Sequence, residues 1–276
     1  MRILVTGGEG QLGASIGIQE SEHEIILCSH DDIDIRNYDS LFHAMKTHRP
    51  DAVINCAAWA DVDGCEKNPD HAFDVNAKSV EKLREVTEES GCQLVQISTD
   101  YVFDGEKKDP YIETDEPNPI SVYGQSKLLG EQLAGEKSLI VRTSWLFSRH
   151  SRNILETILD LLDSNENFYF VNDQIGCPTY SLDLATCLLN LIESSASGIF
   201  HVTNQDSVSW YEFAIRIAEV ANLDSSKIFP ISTEELNPPR PAKRPMNSVL
   251  ENRSLYNSGF SLLRSHEEAL FEALSG

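Results

Sequence analysis

The sequence predicts an α/β protein built on a doubly wound parallel sheet, with a smaller part toward the C-terminus. Three observations carry this expectation. Apolar runs alternate with helix-periodic segments through the first half of the chain. Those runs are continuously apolar rather than alternating, as in strands that helices cover on both faces. A glycine-rich turn, Gly7 to Gly13, follows the first run directly.

Taken in order, Arg2–Val5 reads as the first strand, and MRILVTGG enters it without the basic and apolar segments of a cleavable leader. Glu24–Cys28, Ala52–Cys56, Leu94–Ile97 and Leu139–Val141 read as the next strands. Tyr38–His48, His71–Ser90 and Ser121–Ala134 carry the helical periodicity between them. Right-handed crossovers place the strand C-terminal ends, and any ligand, along one edge. Beyond Trp145 the rhythm loosens. Helical patterns at Arg152–Leu162, Ser181–Ile192, Trp210–Ala221 and His266–Leu274 are interspersed with strand-like Phe168–Val171 and Gly198–Val202, and with Pro-rich Asn237–Pro245.

Composition narrows the function classes. The 276 residues hold 44 acids against 22 lysines and arginines, a net charge of −22, which disfavours a nucleic-acid partner. At 41% hydrophobic the chain can bury a core, and no stretch of 18 apolar residues predicts a membrane span. The six cysteines lack CxxC pairing and read as thiols of a reducing compartment; the eight histidines show no zinc spacing, so no metal site is assigned.

Three motifs carry chemistry. Gly7, Gly10 and Gly13 form GxxGxxG, which allows a sharp turn and close approach of a pyrophosphate to the backbone. Ser98-Thr99-Asp100-Tyr101 ends the fourth strand, on the edge where ligands bind. Tyr123 and Lys127 stand at i and i+4 on one helix face, so an ammonium can act on a phenol that serves as a general acid. Gly124, inside that helix, points to a close neighbour there.

In this order the motifs resemble the extended short-chain dehydrogenase/reductase family. STDYVFDG (98–105), YGQSK (123–127), RTSWLF (142–147), DQIGCPT (173–179) and RPMNSVLE (244–251) resemble the dTDP-4-dehydrorhamnose reductases across nearly the whole chain. The resemblance implies a Rossmann-type sheet, with 1–147 as the dinucleotide-binding domain (returns expected near 165–205) and 148–276 mainly binding substrate. It implies reduction of the 4-keto group of dTDP-4-dehydro-L-rhamnose to dTDP-L-rhamnose. Thr99, Tyr123 and Lys127 would be catalytic: Tyr123 the proton donor, Lys127 its cationic neighbour and a ribose ligand, Thr99 a hydrogen bond to the carbonyl. Gly7, Gly10, Gln11, Leu12, Ser29, Asp34, Ile35, Asn55, Ala57 and Ala58, with Tyr123 and Lys127, would hold the cofactor. Asp100, Tyr101, Trp145, Asn153, Gln174 and Arg244 would meet the substrate. Thr179 would be a further substrate-side position, and of the basic cluster Arg240, Lys243 and Arg244, Arg244 would meet the diphosphate.

Related dehydratases carry Asp-Glu where this chain has Asp100-Tyr101, so simple ketone reduction fits better. The second strand ends Leu27-Cys28-Ser29-His30 without the acid that binds a ribose 2′-hydroxyl, and Ser29 and His30 favour NADPH, with NADH as the other candidate. No arginine is identified beside them, and Glu9 argues mildly the other way. The alternatives are a regulatory subunit like the beta subunit of methionine adenosyltransferase, or another nucleotide-sugar reductase or epimerase. The expected partners are a dTDP-linked 4-keto-6-deoxyhexose and a possible homodimer, with neither nucleic acid nor membrane, in the cytoplasm.

Overall fold

A computed structural model of the chain describes residues 1–149, 153–164 and 166–275. Six strands, β1 (Arg2–Thr6), β2 (Glu24–Cys28), β3 (Ala52–Asn55), β4 (Gln93–Thr99), β5 (Leu139–Thr143) and β6 (Gly198–His201), form one sheet. Their order is β2-β1-β3-β4-β5-β6, and every pairing is parallel. Successive side chains point to opposite faces, and both faces are buried. Ile3, Val5, Ile54, Val95, Leu139 and Val141 pack with Leu184, Leu188 and Ile192 of the helix Ser181–Glu193. Leu4, Val53 and Leu94 pack on the other face with Leu41 and Met45 of Tyr38–His48 and with Leu83 and Val86 of Ser79–Ser90. Burial on both faces explains why these strands read as continuous apolar runs.

The chain leaves β1 toward β2 in one direction and toward β3 through β6 in the other. A crevice opens where that reversal occurs, outside the carboxyl ends of β1 and β3, where Thr6 pairs with Asn55.

Two stretches differ from the sequence pattern. The single helix expected over His71–Ser90 is Pro69–Phe73, a π-helical turn over Asp74–Lys78, then Ser79–Ser90. The bulge holds Asn76, which is 2% exposed and accepts a hydrogen bond from the Trp59 N–H at 2.8 Å while donating to Ser126 at 3.0 Å. The return to the main sheet comprises Ser181–Glu193 and β6, fastened by a 2.7 Å bond between the Ser15 and Ser181 hydroxyls. Phe168–Val171 instead pairs with Ile228–Ile231 in a separate parallel ribbon. That ribbon shares a second core with the helices Ile154–Asp163, Trp210–Val220 and His266–Ser275. Arg152, placed at the start of a helix by the sequence, lies outside the described residues.

All six cysteines are free, and burial raises every thiol, to about 12 for Cys56, Cys92 and Cys187. Among the described residues no His/Cys/Asp/Glu cluster could hold a metal, and no helix is long and apolar enough to cross a membrane.

Candidate active site

The floor of the crevice is set by close backbone approach. Gly7 adopts φ +67°, and a Cβ there would fall 2.8 Å from the Ala57 amide nitrogen. A side chain at this position would therefore be strained and would also strike the end of β3. Gly7, Gly10, Gln11, Leu12 and Gly13 line one side of the crevice; Ala58, Thr99, Asp100, Tyr101, Tyr123, Lys127, Trp145 and Trp210 line the other. Buried Gln11 Oε1 has no hydrogen-bond partner among the described residues. The narrow glycine cradle, which a Cβ would fill, fits the backbone approach of a dinucleotide lying along the turn.

Thr99 ends β4 opposite Thr143 of β5 and caps the short helical turn Asp100–Val102, accepting from the Tyr101 N–H at 3.2 Å. Its hydroxyl donates to Asp100 Oδ1 at 3.0 Å. Tyr123 sits in the first turn of the helix Val122–Ala134, which Ser121 caps through the Gly124 N–H at 3.2 Å. Its ring meets that of Tyr101 edge-on, with centroids 5.6 Å apart. Burial holds the Tyr123 phenol well above its ordinary value, against the pull of the Thr99 hydroxyl. It is therefore protonated at neutral pH, as a proton donor must be before a reduction.

Lys127 is 4% exposed and donates to the Ile97 carbonyl at 2.6 Å. Burial lowers it to about 8, while the Glu131 charge acts in the opposite sense.

The neighbour signalled by Gly124 is the Tyr101 carbonyl, which would lie 2.1 Å from a Cβ at that position. Gly124→Ala must push apart the helical turn that carries Tyr101 and the helix that carries Tyr123. Misplacement of that size costs about 10²-fold in rate; steady-state kinetics on the folded variant should show such a fall in kcat, and an unchanged kcat would contradict this geometry.

The structure disperses other expected site residues. Trp145, with φ +47°, lines the crevice, but its ring is stacked on Trp210 at 3.7 Å and 9°, so Trp210 covers one aromatic face. Asn153 caps the helix Ile154–Asp163, accepting from the Leu155 N–H at 2.8 Å and donating to the Ser148 carbonyl at 2.7 Å. Gln174 is 3% exposed and donates to Thr233 at 2.8 Å; Thr179 is fully buried and donates to the Cys177 carbonyl at 3.3 Å. Arg244 is clamped on Asp63 by two bonds of 3.0 and 2.9 Å, so its charge is compensated locally, and Arg240 and Lys243 are the exposed cations of that loop.

Toward β2 the crevice continues past Ser29, His30, Asp34, Ile35, Ala57 and Ala58. Asn55 is 1% exposed and binds other strand ends, accepting from Thr6 at 2.7 Å and donating to Gln96 at 2.8 Å. Two charged groups near Ser29 escaped the sequence reading. Asp32 accepts from the Ser29 N–H at 2.8 Å and from its hydroxyl at 2.6 Å, so an acid does stand beside the end of β2. Arg36 lines the same stretch and is paired with Asp34 at 3.0 and 3.1 Å, which corrects the reading that no arginine is near. Trp59, His71 and Trp210 are further lining residues not singled out; His71 meets Trp59 edge-on at 4.6 Å.

Known proteins share this arrangement. The chain is 38% identical to spore coat polysaccharide biosynthesis protein SpsK of Bacillus subtilis (strain 168), over 99% of this chain and 96% of that protein. The solved dTDP-4-dehydrorhamnose reductase of Clostridium acetobutylicum ATCC 824 superposes with a TM-score of 0.95 at 40% identity, covering 100% of this chain and 99% of that one. That of Bacillus anthracis str. Ames, solved in complex with NADP, superposes at 0.95 with 36% identity, covering 99% and 98%. The family model described as RmlD substrate binding domain matches residues 1–276, and the chain belongs to that family, the dTDP-4-dehydrorhamnose reductases.

Proposed function

We propose that this chain is an NADPH-dependent reductase that converts dTDP-4-dehydro-L-rhamnose to dTDP-L-rhamnose. The observation that carries the reading is the convergence of Thr99, Tyr123 and Lys127 on the crevice lined by Gly7, Gly10 and Gly13. Membership of the reductase family and the NADP-bound relative support it.

Bound NADPH supplies the hydride. The chain's own work is to bind, orient and move one proton. Gly7, Gly10, Gln11 and Leu12 would hold the diphosphate, and Ser29, Asp34, Ile35, Ala57 and Ala58 would flank the adenosine end. Arg36 adds a cation there. Tyr123 would pass its phenolic proton to the C4 oxygen of the sugar and become a phenolate. Lys127, the one cation lining the inner crevice among the described residues, compensates that negative charge. Asp100 and Tyr101 would contact the hexose, with the stacked Trp145 and Trp210 as an apolar wall.

The test is direct. Purified protein is mixed with dTDP-4-dehydro-L-rhamnose and NADPH, and with the corresponding D-glucose-derived 4-ketosugar in a second arm. Loss of absorbance at the reduced-nicotinamide band, with dTDP-L-rhamnose as the product of the first arm, is the expected result. Folded protein that binds NADPH and turns over neither sugar would overturn the reading; turnover of only the second would move it to a different hexose.

A further inference from the structure

The hydrogen-bond pattern around Thr99 does not match the work the reduction asks of it. A threonine hydroxyl has one proton, and here that proton goes to Asp100 Oδ1 at 3.0 Å. One lone pair already accepts the Tyr101 N–H at 3.2 Å. In this state Thr99 has no proton left for a ketone. Asp100 is 2% exposed, and its Oδ2 is buried with no hydrogen-bond partner among the described residues. The Ser248 hydroxyl approaches the same carboxyl but is directed to the Ile175 carbonyl at 3.4 Å. The Thr99 bond and the Asp100 and Tyr101 amides pull the carboxyl down, but among the described residues no cation is paired with it, and burial outweighs them in favour of the neutral form.

We propose that Asp100 is a positioning acid that turns Thr99: protonated Asp100 donates to Thr99 Oγ1 and thereby releases the Thr99 proton to the substrate ketone. This deepens the reductase reading and rests on it. With Asp100 ionised, the Asp100–Thr99 bond runs outward and the ketone is met by Tyr123 alone. With Asp100 neutral, Thr99 accepts from the Tyr101 N–H and the Asp100 O–H, filling both lone pairs, and its own O–H points to the carbonyl beside Tyr123. No bond to carbon changes in this step; one hydrogen bond reverses.

The groups facing Asp100 agree with a neutral acid. Thr99, Tyr101 and Tyr123 come from the end of β4 and the helix behind it, Ser248 and Cys177 from the C-terminal part. All are uncharged at neutral pH; of the two arginines whose charges reach Tyr101, Arg244 is bound to Asp63 and Arg240 is exposed to solvent. Burial raises the carboxyl to about 6, and a sugar that closes the crevice would exclude water and raise it further.

The experiment compares Asp100→Asn with Asp100→Ala. An asparagine amide can donate to Thr99 as the neutral acid does, and it cannot ionise. Asp100→Asn is expected to lose clearly less kcat than Asp100→Ala and to lose the decline in kcat/KM as pH rises above about 6, leaving the later decline near 8 from Lys127. Asp100→Ala, which leaves Thr99 undirected, should fall about tenfold to a hundredfold in kcat with little change in NADPH binding. If Asp100→Asn falls as far as Asp100→Ala across that range, or keeps the decline above pH 6, the proposal is wrong. Carbon-13 carboxyl spectra of the wild type with NADP and dTDP-L-rhamnose provide a readout independent of turnover: Asp100 should be protonated at pH 7, and an ionised Asp100 there would overturn the role. Failure of the wild type to reduce the ketosugar would instead overturn the reductase reading itself.

Discussion

Tyr123→Phe is expected to lower kcat by about 10²- to 10⁴-fold, the range that a positioned general acid supplies, while the dissociation constant for NADPH changes little. The substitution removes one oxygen and keeps the ring. The edge-on contact with Tyr101 at 5.6 Å survives, as does the Ser121 cap on the Gly124 amide, so the helix and the crevice wall stay in place. What disappears is the proton. Water in the vacated space would be a poorer donor because it is not aligned by Thr99. Stopped-flow turnover alongside NADPH titration separates the effects. A loss of both binding and turnover would indicate a structural role, and full activity would remove Tyr123 from the reaction altogether.

How much of this site the sequence reveals depends on the range of the interactions involved. Thr99, Tyr123 and Lys127 are legible because each follows a local signal: a polar residue after an apolar strand, or an i, i+4 pair on a helix. The parallel sheet then brings them to Gly7 without further information, since strand ends of a doubly wound sheet share one edge. Strand β6 reads as a strand-like run in the sequence, but its place beside β5 is a long-range fact. Arg244 illustrates the limit more sharply. Its density of basic neighbours suggested a phosphate contact, yet its partner Asp63 lies 181 positions away and could not be read from the loop. Trp145 is similar: an aromatic at a strand end suggests a sugar platform, while the ring that covers it, Trp210, belongs to the second core. Arg36 is more local. It stands two residues from Asp34, and the run Asp34-Ile35-Arg36 already places an acid and a base on one turn.

Glu131→Ala should destabilise the fold by about 3–5 kcal/mol, the cost of leaving a buried partner charge uncompensated. Arg142 and Glu131 are 2% and 4% exposed and form two bonds of 2.9 and 2.7 Å, with the Ser98 hydroxyl on the same carboxylate. The guanidinium also lies 5.2 Å from the centre of the Phe103 ring. Beside it, His201 is fully buried and held down to about 3 by burial and by the Arg142 charge, so it stays neutral and adds no second cation. Removal of Glu131 alone therefore strands a cation among apolar groups. Replacing both partners, as in Glu131→Leu with Arg142→Met, should recover most of that loss, because neither charge then has to be desolvated. Urea unfolding of the two variants checks the difference; equal destabilisation by both would show that packing rather than charge is at stake. The pair also reaches the chemistry. The Glu131 charge holds Lys127 up toward its ordinary value. In Glu131→Gln the ammonium is lost at a lower pH than about 8, and the alkaline decline in kcat should shift to lower pH by a measurable interval. A stability element one helical turn behind Lys127 thus sets the pH above which the enzyme loses its compensating cation.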